Sequence, residues 1–165
     1  MFKRISIVLA IVLVLSLASG AWMSASAKSP EVPFKAYYPV WAATGFDPSC
    51  PCIKQTFTPG GDGLASHMGV SLFEGTAKAW PGGTIVQKGD GTLTAANGDS
   101  ITVHYEGTGN VIDQGAHIVV DGWYIVTGGT GRFWGVTGGG TYHVFVYTDN
   151  SQPNDLSFIG HLHNP

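Results

Sequence analysis

Beyond Lys28 no long stretch of this sequence repeats its apolar residues at the helical period. What recurs is the short alternating run, stopped by glycine, proline, asparagine or aspartate. Glycine alone supplies 24 of the 165 residues. The runs are Val32 to Trp41, Ile53 to Phe57, Leu64 to Glu74, Thr84 to Lys88, Gly91 to Ala95, Ser100 to Glu106, His117 to Thr127, Thr141 to Thr148 and Leu156 to His163. Pro33 and Pro39 mark the first as an edge or bent strand, because proline cannot donate to a ladder. Thr44 to Cys52 reads as loop, and Gly89-Asp90 as a bulge or tight turn. The sharpest local signal is Ala96-Asn97-Gly98-Asp99. Asn-Gly between alternating runs predicts a two-residue hairpin with both turn residues at positive φ. In Ser100 to Glu106, Ile101, Val103 and Tyr105 share one face and Thr102, His104 and Glu106 the other. The sum is an all-β domain of about eight antiparallel strands, a number that closes well into a small barrel. A two-sheet β-sandwich is the alternative.

The first residues have the pattern of an export signal. Lys3 and Arg4 precede an apolar run from Ile5 to Ala18, and Ala25-Ser26-Ala27 is a small-x-small cleavage site. The run is short for a bilayer span, which takes roughly 20 residues. The expectation is therefore cleavage after Ala27 and a secreted or extracytoplasmic chain from Lys28 to Pro165 without stable membrane insertion. No cysteine stands at the cleavage point to take a lipid. Loss of Lys3 and Arg4 lowers the basic count from 8 to 6 against 11 acids, leaving a net charge of about −5. The sequence shows no basic patch, which disfavours nucleic-acid binding. Both cysteines lie in Cys50-Pro51-Cys52. A local disulfide, two free thiols, intermolecular pairing and metal ligation are all compatible with that spacing. A closed zinc site would need four ligands.

Thr127-Gly128-Gly129-Thr130-Gly131-Arg132-Phe133-Trp134-Gly135-Val136-Thr137-Gly138 resembles the allene oxide cyclase barrel-like group, which includes plant dirigent proteins and secreted bacterial members. Gly91 to Asp99 and the order of strands over Phe34 to His163 resemble bacterial members of the same group. The resemblance implies an eight-stranded calycin-type barrel, often dimeric or trimeric. It implies that Phe133 plugs one barrel end. Trp134 departs from the small residue usual after that phenylalanine and is expected to alter packing at the rim. No active site carries over, because no position matches a catalytic carboxylate of the family. The glycine segment is neither a phosphate loop nor a dinucleotide fingerprint, since it lacks the Gly-Lys-Ser/Thr ending and no βαβ pattern surrounds it.

Six histidines form the obvious reactive set. His161 and His163 share a face of the last strand, a two-ligand pattern too sparse for a metal site. His104 and Glu106 share a face and have the makings of an acid–base pair, or of an ordinary solvent face. Arg132 suits hydrogen bonds to loop carbonyls. No complete catalytic constellation is present, and no metal or cofactor is expected. The many aromatic residues belong to core, to an oligomer interface or to the wall of an apolar pocket at a barrel mouth. Thr141 to Thr148 is apolar on both faces, with Val144 and Val146 opposed to Phe145 and Tyr147, which favours a homo-oligomer. Two functions compete. One is a non-catalytic module that binds a small apolar ligand or takes part in interactions, with Tyr105, Trp123, His104 and Glu106 as its candidate ligand-binding residues. The other is a cyclase or isomerase that shapes a small apolar substrate in an enclosed cavity, where positioning supplies much of the rate.

Overall fold

The computed structural model describes residues 30–163, so the expected export signal and cleavage site lie outside the described residues. Nine strands follow one another: β1 (Glu31–Asp47), β2 (Cys52–Pro59), β3 (Gly63–Ala65), β4 (Gly69–Trp80), β5 (Ile85–Ala95), β6 (Ser100–Ile112), β7 (His117–Gly129), β8 (Thr137–Tyr147) and β9 (Asn154–His163). Among the described residues helical structure is limited to two short 3-10 turns, Asp113–Gly115 and Gly131–Phe133. β2 and β3 occupy one place in the sheet, each lying between β1 and β4. β1 pairs with β9 from Glu31↔His163 to Val40↔Asn154. That seam closes eight strand positions into an antiparallel barrel. The sandwich alternative falls, because a single sheet returns to its own first strand.

The local expectations fail at particular places. β1 is no edge strand; it is paired on both sides. Its prolines are tolerated because the Pro39 carbonyl accepts from Gly60 N and the Pro33 carbonyl accepts from the His67 ring. In an antiparallel strand a residue's N–H and C=O point to the same side. The missing N–H groups therefore face the β2–β3 break and the space beyond β3, not the β9 ladder. Thr44–Asp47 is strand, so the loop shrinks to Pro48–Pro51. Leu64 to Glu74 is split by a turn at Ser66–Met68, with His67 at φ 66° and Gly69 at φ 71°. The Asn-Gly hairpin has only Gly98 at positive φ. Gly98 N donates to Ala95 O and Ala95 N donates to Asp99 O, both at 2.9 Å. This is the three-residue loop in which one glycine takes the left-handed position.

Gly89-Asp90 is neither bulge nor turn. β5 runs straight through it, paired to Ala77 and Thr76 on one side and Tyr105 and His104 on the other. A β-carbon on Gly89 would meet the Thr76 carbonyl oxygen at 2.4 Å and the Tyr105 ring at 2.6 Å. The glycine makes room for an aromatic ring inside the barrel. Gly122 does the same beneath Tyr142.

The interior is filled around its middle by aromatic rings. Phe158 stands 5.1 Å from Tyr124, 5.7 Å from Phe73 and 6.4 Å from both Tyr38 and Tyr142, centroid to centroid. Tyr105 lies 5.2 Å from Tyr142. Such tilted and edge-on pairs contribute about 0.5–1.5 kcal/mol each beyond area burial. Phe133 is buried with Met68, Val136 and Leu162 and closes one end. Trp134 beside it is 78% exposed, so its bulk alters nothing in the packing of that rim. Arg132 reaches the Met68 carbonyl and the Asp99 carboxylate, both at 3.5 Å.

Candidate functional site: the open end of the barrel

Strand alternation decides which side chains see the interior. Along β6, Ile101, Val103 and Tyr105 are buried, while His104 and Glu106 point outward. Along β7, Val120 and Tyr124 are buried and Trp123 is 45% exposed. Of the four candidate ligand-binding residues, three thus gather on the outer wall and one inside. His104 Nδ1 is 2.9 Å from Asp90 and its Nε2 3.4 Å from Glu106, with the Trp123 ring 6.1 Å away. Lys88 pairs with Glu106 at 2.9 Å. Hydrogen bonding to Asp90 raises the His104 pKa, against a smaller opposing effect of burial. Tyr105 lies within the aromatic core. Burial pushes its phenol far up, with the Tyr142 hydroxyl adding to the effect.

The space beside Tyr105 is small, about 10 Å³ between Phe57, Phe73, Gln87, Tyr142 and Phe158. That is about one water-sized probe, so the middle of the barrel has no substrate cavity. The end opposite Phe133 is different. A depression of about 270 Å³ opens there, walled by Ile53, Phe57, Ile85, Ile118, Val120 and Val146 among others. The wall comes from the C-terminal halves of β1, β4 and β8 and the N-terminal halves of β2, β5, β7 and β9, which the antiparallel register brings to one rim.

The floor of this mouth carries a short polar chain. The Tyr142 hydroxyl donates to Gln87 Oε1 at 3.1 Å, and Gln87 Nε2 donates to Gln55 Oε1 at 2.7 Å. Gln87 is 3% exposed and both amide ends are engaged, as a buried amide requires. Among the described residues no atom accepts from the Gln55 amide nitrogen, which leaves it for an acceptor entering the mouth. At the rim Asn154 is buried, and its side-chain oxygen accepts from Tyr147 N at 2.9 Å. The residues that line the mouth include amides and hydroxyls but no carboxylate, imidazole or thiol. Chemically it can hold an apolar body and one hydrogen-bonding group.

Gln55, Gln87 and Ile118 were not singled out by the sequence. A signal existed for Gln87. Counting back by twos from Leu93 through Gly91 and Gly89 puts it on the inner face, an amide among apolar positions; reading Gly89-Asp90 as a turn breaks that count. The remaining histidines stay on the outside. His117, His143 and His161 each face a carboxylate, of Asp113, Asp121 and Glu31 respectively. Phe145 and Tyr147, the outward aromatics of β8, pack on His117 at 4.9 and 5.5 Å. They cover one another within one chain. Cys50 and Cys52 form a disulfide. Among the described residues the single three-residue group with metal-ligating atoms is Asp47, Cys50 and Cys52, and its two sulfurs are bonded to each other.

No protein-family model matches this chain, and no curated protein does. Among solved structures, a pterocarpan synthase dirigent protein is similar to it at a TM-score of 0.41 and 15% sequence identity, over 88% of this chain and 99% of that one.

Proposed function

We propose that this is an exported, non-catalytic binding protein that takes one small, largely apolar molecule into the open end of its barrel. The observation that carries the reading is the mouth itself: about 270 Å³ of space with apolar walls and the Gln55–Gln87–Tyr142 chain on its floor. That volume sits just under the usual range of roughly 300–1,000 Å³ for ligand pockets, so the ligand is small. The amide nitrogen of Gln55 selects a molecule with one carbonyl, ether or hydroxyl oxygen at its buried end. The binding reading is favoured over a cyclase or isomerase because the mouth's lining holds no carboxylate, imidazole or thiol to serve as acid, base or nucleophile.

Titration with 1-aminoanthracene, a neutral fluorophore that brightens in apolar sites, tests the proposal. The parent protein should bind it saturably. Ile118→Trp, which fills the mouth, should weaken binding by about tenfold or more, as the loss of some 1.4 kcal/mol of apolar contact requires. Saturable binding that Ile118→Trp leaves untouched, in a variant that still melts cooperatively, would place the probe elsewhere and end the proposal.

A further inference from the structure

The sequence has no basic patch, yet the fold makes one. Lys54, Lys78 and Lys88 lie far apart along the chain, on β2, β4 and β5. The strand registers put them directly opposite one another, Lys54↔Lys78 and Lys78↔Lys88, in one row across the outer wall. All three are exposed. They are three of the five lysines and arginines between residues 30 and 163. Like charges directly opposite in a sheet are destabilising, so the row is an arrangement that stability alone disfavours. Its compensation is partial. Asp47 meets Lys78 at 3.0 Å and Glu106 meets Lys88 at 2.9 Å. Among the described residues Lys54 has no carboxylate partner.

Beside this row lies a surface cleft of about 210 Å³, lined by the three lysines together with Thr76, Trp80 and Asp90. The neighbouring register row is Thr56↔Thr76↔Asp90↔His104. The cleft therefore combines cations, hydroxyls, a carboxylate and an indole. Strands are spaced about 4.8 Å apart, so three successive lysines span about two strand spacings. A single carboxylate or phosphate matches a row of that length less well than a ligand with anionic groups repeated along its length.

We propose that this row and its cleft form a binding site for an acidic polysaccharide, a chain of sugars with one carboxylate per unit or per few units. Each lysine meets a carboxylate as a point charge, without the two-pronged geometry that arginine would impose. Trp80 offers an apolar flat surface to the carbon face of a sugar ring. Asp90 and Thr76 offer partners to sugar hydroxyls. A nucleic-acid strand fits less well. Its dense charge asks for more cations than the wall supplies. The site is separate from the barrel mouth, since its residues point outward from the same strands whose other faces line the interior.

Calorimetry with an oligogalacturonate, a neutral malto-oligosaccharide of equal length and a single-stranded oligonucleotide tests the assignment. The oligogalacturonate should bind, more weakly as salt is raised. The neutral sugar and the oligonucleotide should not bind comparably. Lys54→Gln and Lys88→Gln should each weaken binding about three- to fivefold, the scale of one exposed ion pair. The double variant should lose more than either. Lys35→Gln, on β1 outside the cleft, should leave it unchanged. Lys54→Gln should also melt no lower than the parent, because it removes a like-charge contact without breaking an ion pair. Equal binding of the neutral sugar, equal binding of the oligonucleotide, or an unchanged affinity in the folded double variant would each overturn the assignment.

Discussion

The hydroxyl of Tyr124 is the one buried side-chain polar atom among the described residues that finds no hydrogen-bond partner. Burial alone raises its pKa to about 12. Tyr142, nearby in the same core, spends its hydroxyl on Gln87. The two invite opposite outcomes from the same substitution. Tyr124→Phe removes an unsatisfied group and should leave stability unchanged or raise it by up to about 1 kcal/mol. Tyr142→Phe leaves the Gln87 acceptor unpaired in a buried site and should lower stability by about 1–2 kcal/mol. Urea unfolding of both variants decides; a destabilised Tyr124→Phe would mean that its hydroxyl is satisfied after all. On the outer wall, His104 gains its charge more readily than an ordinary histidine at 6.5, chiefly through Asp90. Glu106 is held below its ordinary 4.5, chiefly by Lys88 and then by His104. The signs follow from linkage. The His104 contribution is complete below pH 6.5 and is lost as pH rises through its raised value. The Glu106 contribution is complete above pH 4.5 and is lost as pH falls through its lowered value. Both act between those limits. NMR titration should show His104 above 6.5 in the parent and nearer 6.5 in Asp90→Asn; no change in that variant would remove Asp90 as the cause.

At the scale of the element, Gly89 gives the clearest test of why this barrel needs glycine in its strands. Gly89→Ala must push against the Thr76 carbonyl at 2.4 Å and the Tyr105 ring at 2.6 Å. The neighbour is partly backbone and cannot swing away. The loss should be about 3 kcal/mol, the upper range for overpacking, whereas Gly98→Ala in the hairpin meets no atom within 4 Å and costs only the strain of φ +89°. Equal losses from both, read from thermal unfolding, would contradict the reading of Gly89 as a close-approach position. The same residue shows what alternation can and cannot reveal. The two faces of β6 are legible from Ile101, Val103 and Tyr105, because period-2 patterning is a local property. Gly89 was misread because glycine marks turns and also admits rings, and the sequence does not say which. The lysine row was invisible for a deeper reason: it depends on how β2, β4 and β5 are slid against one another, and register between strands is not written in any one of them. His104 and Glu106 do lie together, as their shared face implies, but outside the barrel, and the β6–β7 register adds Trp123 beside them.

For the whole molecule, the consequential feature is the seam between the first and last strands. β1 meets β9 along ten residue pairs, from Glu31↔His163 to Val40↔Asn154, so the ladder has no free edge on which to begin unravelling. The core crosses that seam. Phe34, Tyr38 and Val40 of β1 and Leu156, Phe158 and Leu162 of β9 are all buried in one cluster with residues from the remaining strands. In an open sheet the terminal strands would be held from one side and would open first, at low free energy. In this ring, releasing β9 strips Phe158 from Tyr38, Phe73, Tyr124 and Tyr142 together, which removes the centre of the barrel. The terminal strands should therefore be as well protected as the middle ones. Native-state hydrogen exchange should find the ladder amides of β1 and β9 opening at free energies within about 1 kcal/mol of those in β5 and β6, close to the global unfolding value. Phe158→Ala should lower all four strands together by about 3–5 kcal/mol, the range for losing a buried phenylalanine. If β1 and β9 instead exchange through a separate, lower opening that Phe158→Ala deepens without touching β5 and β6, the ring does not behave as one cooperative unit, and a mouth built from both sides of its seam would not be held rigid enough to select a ligand by shape.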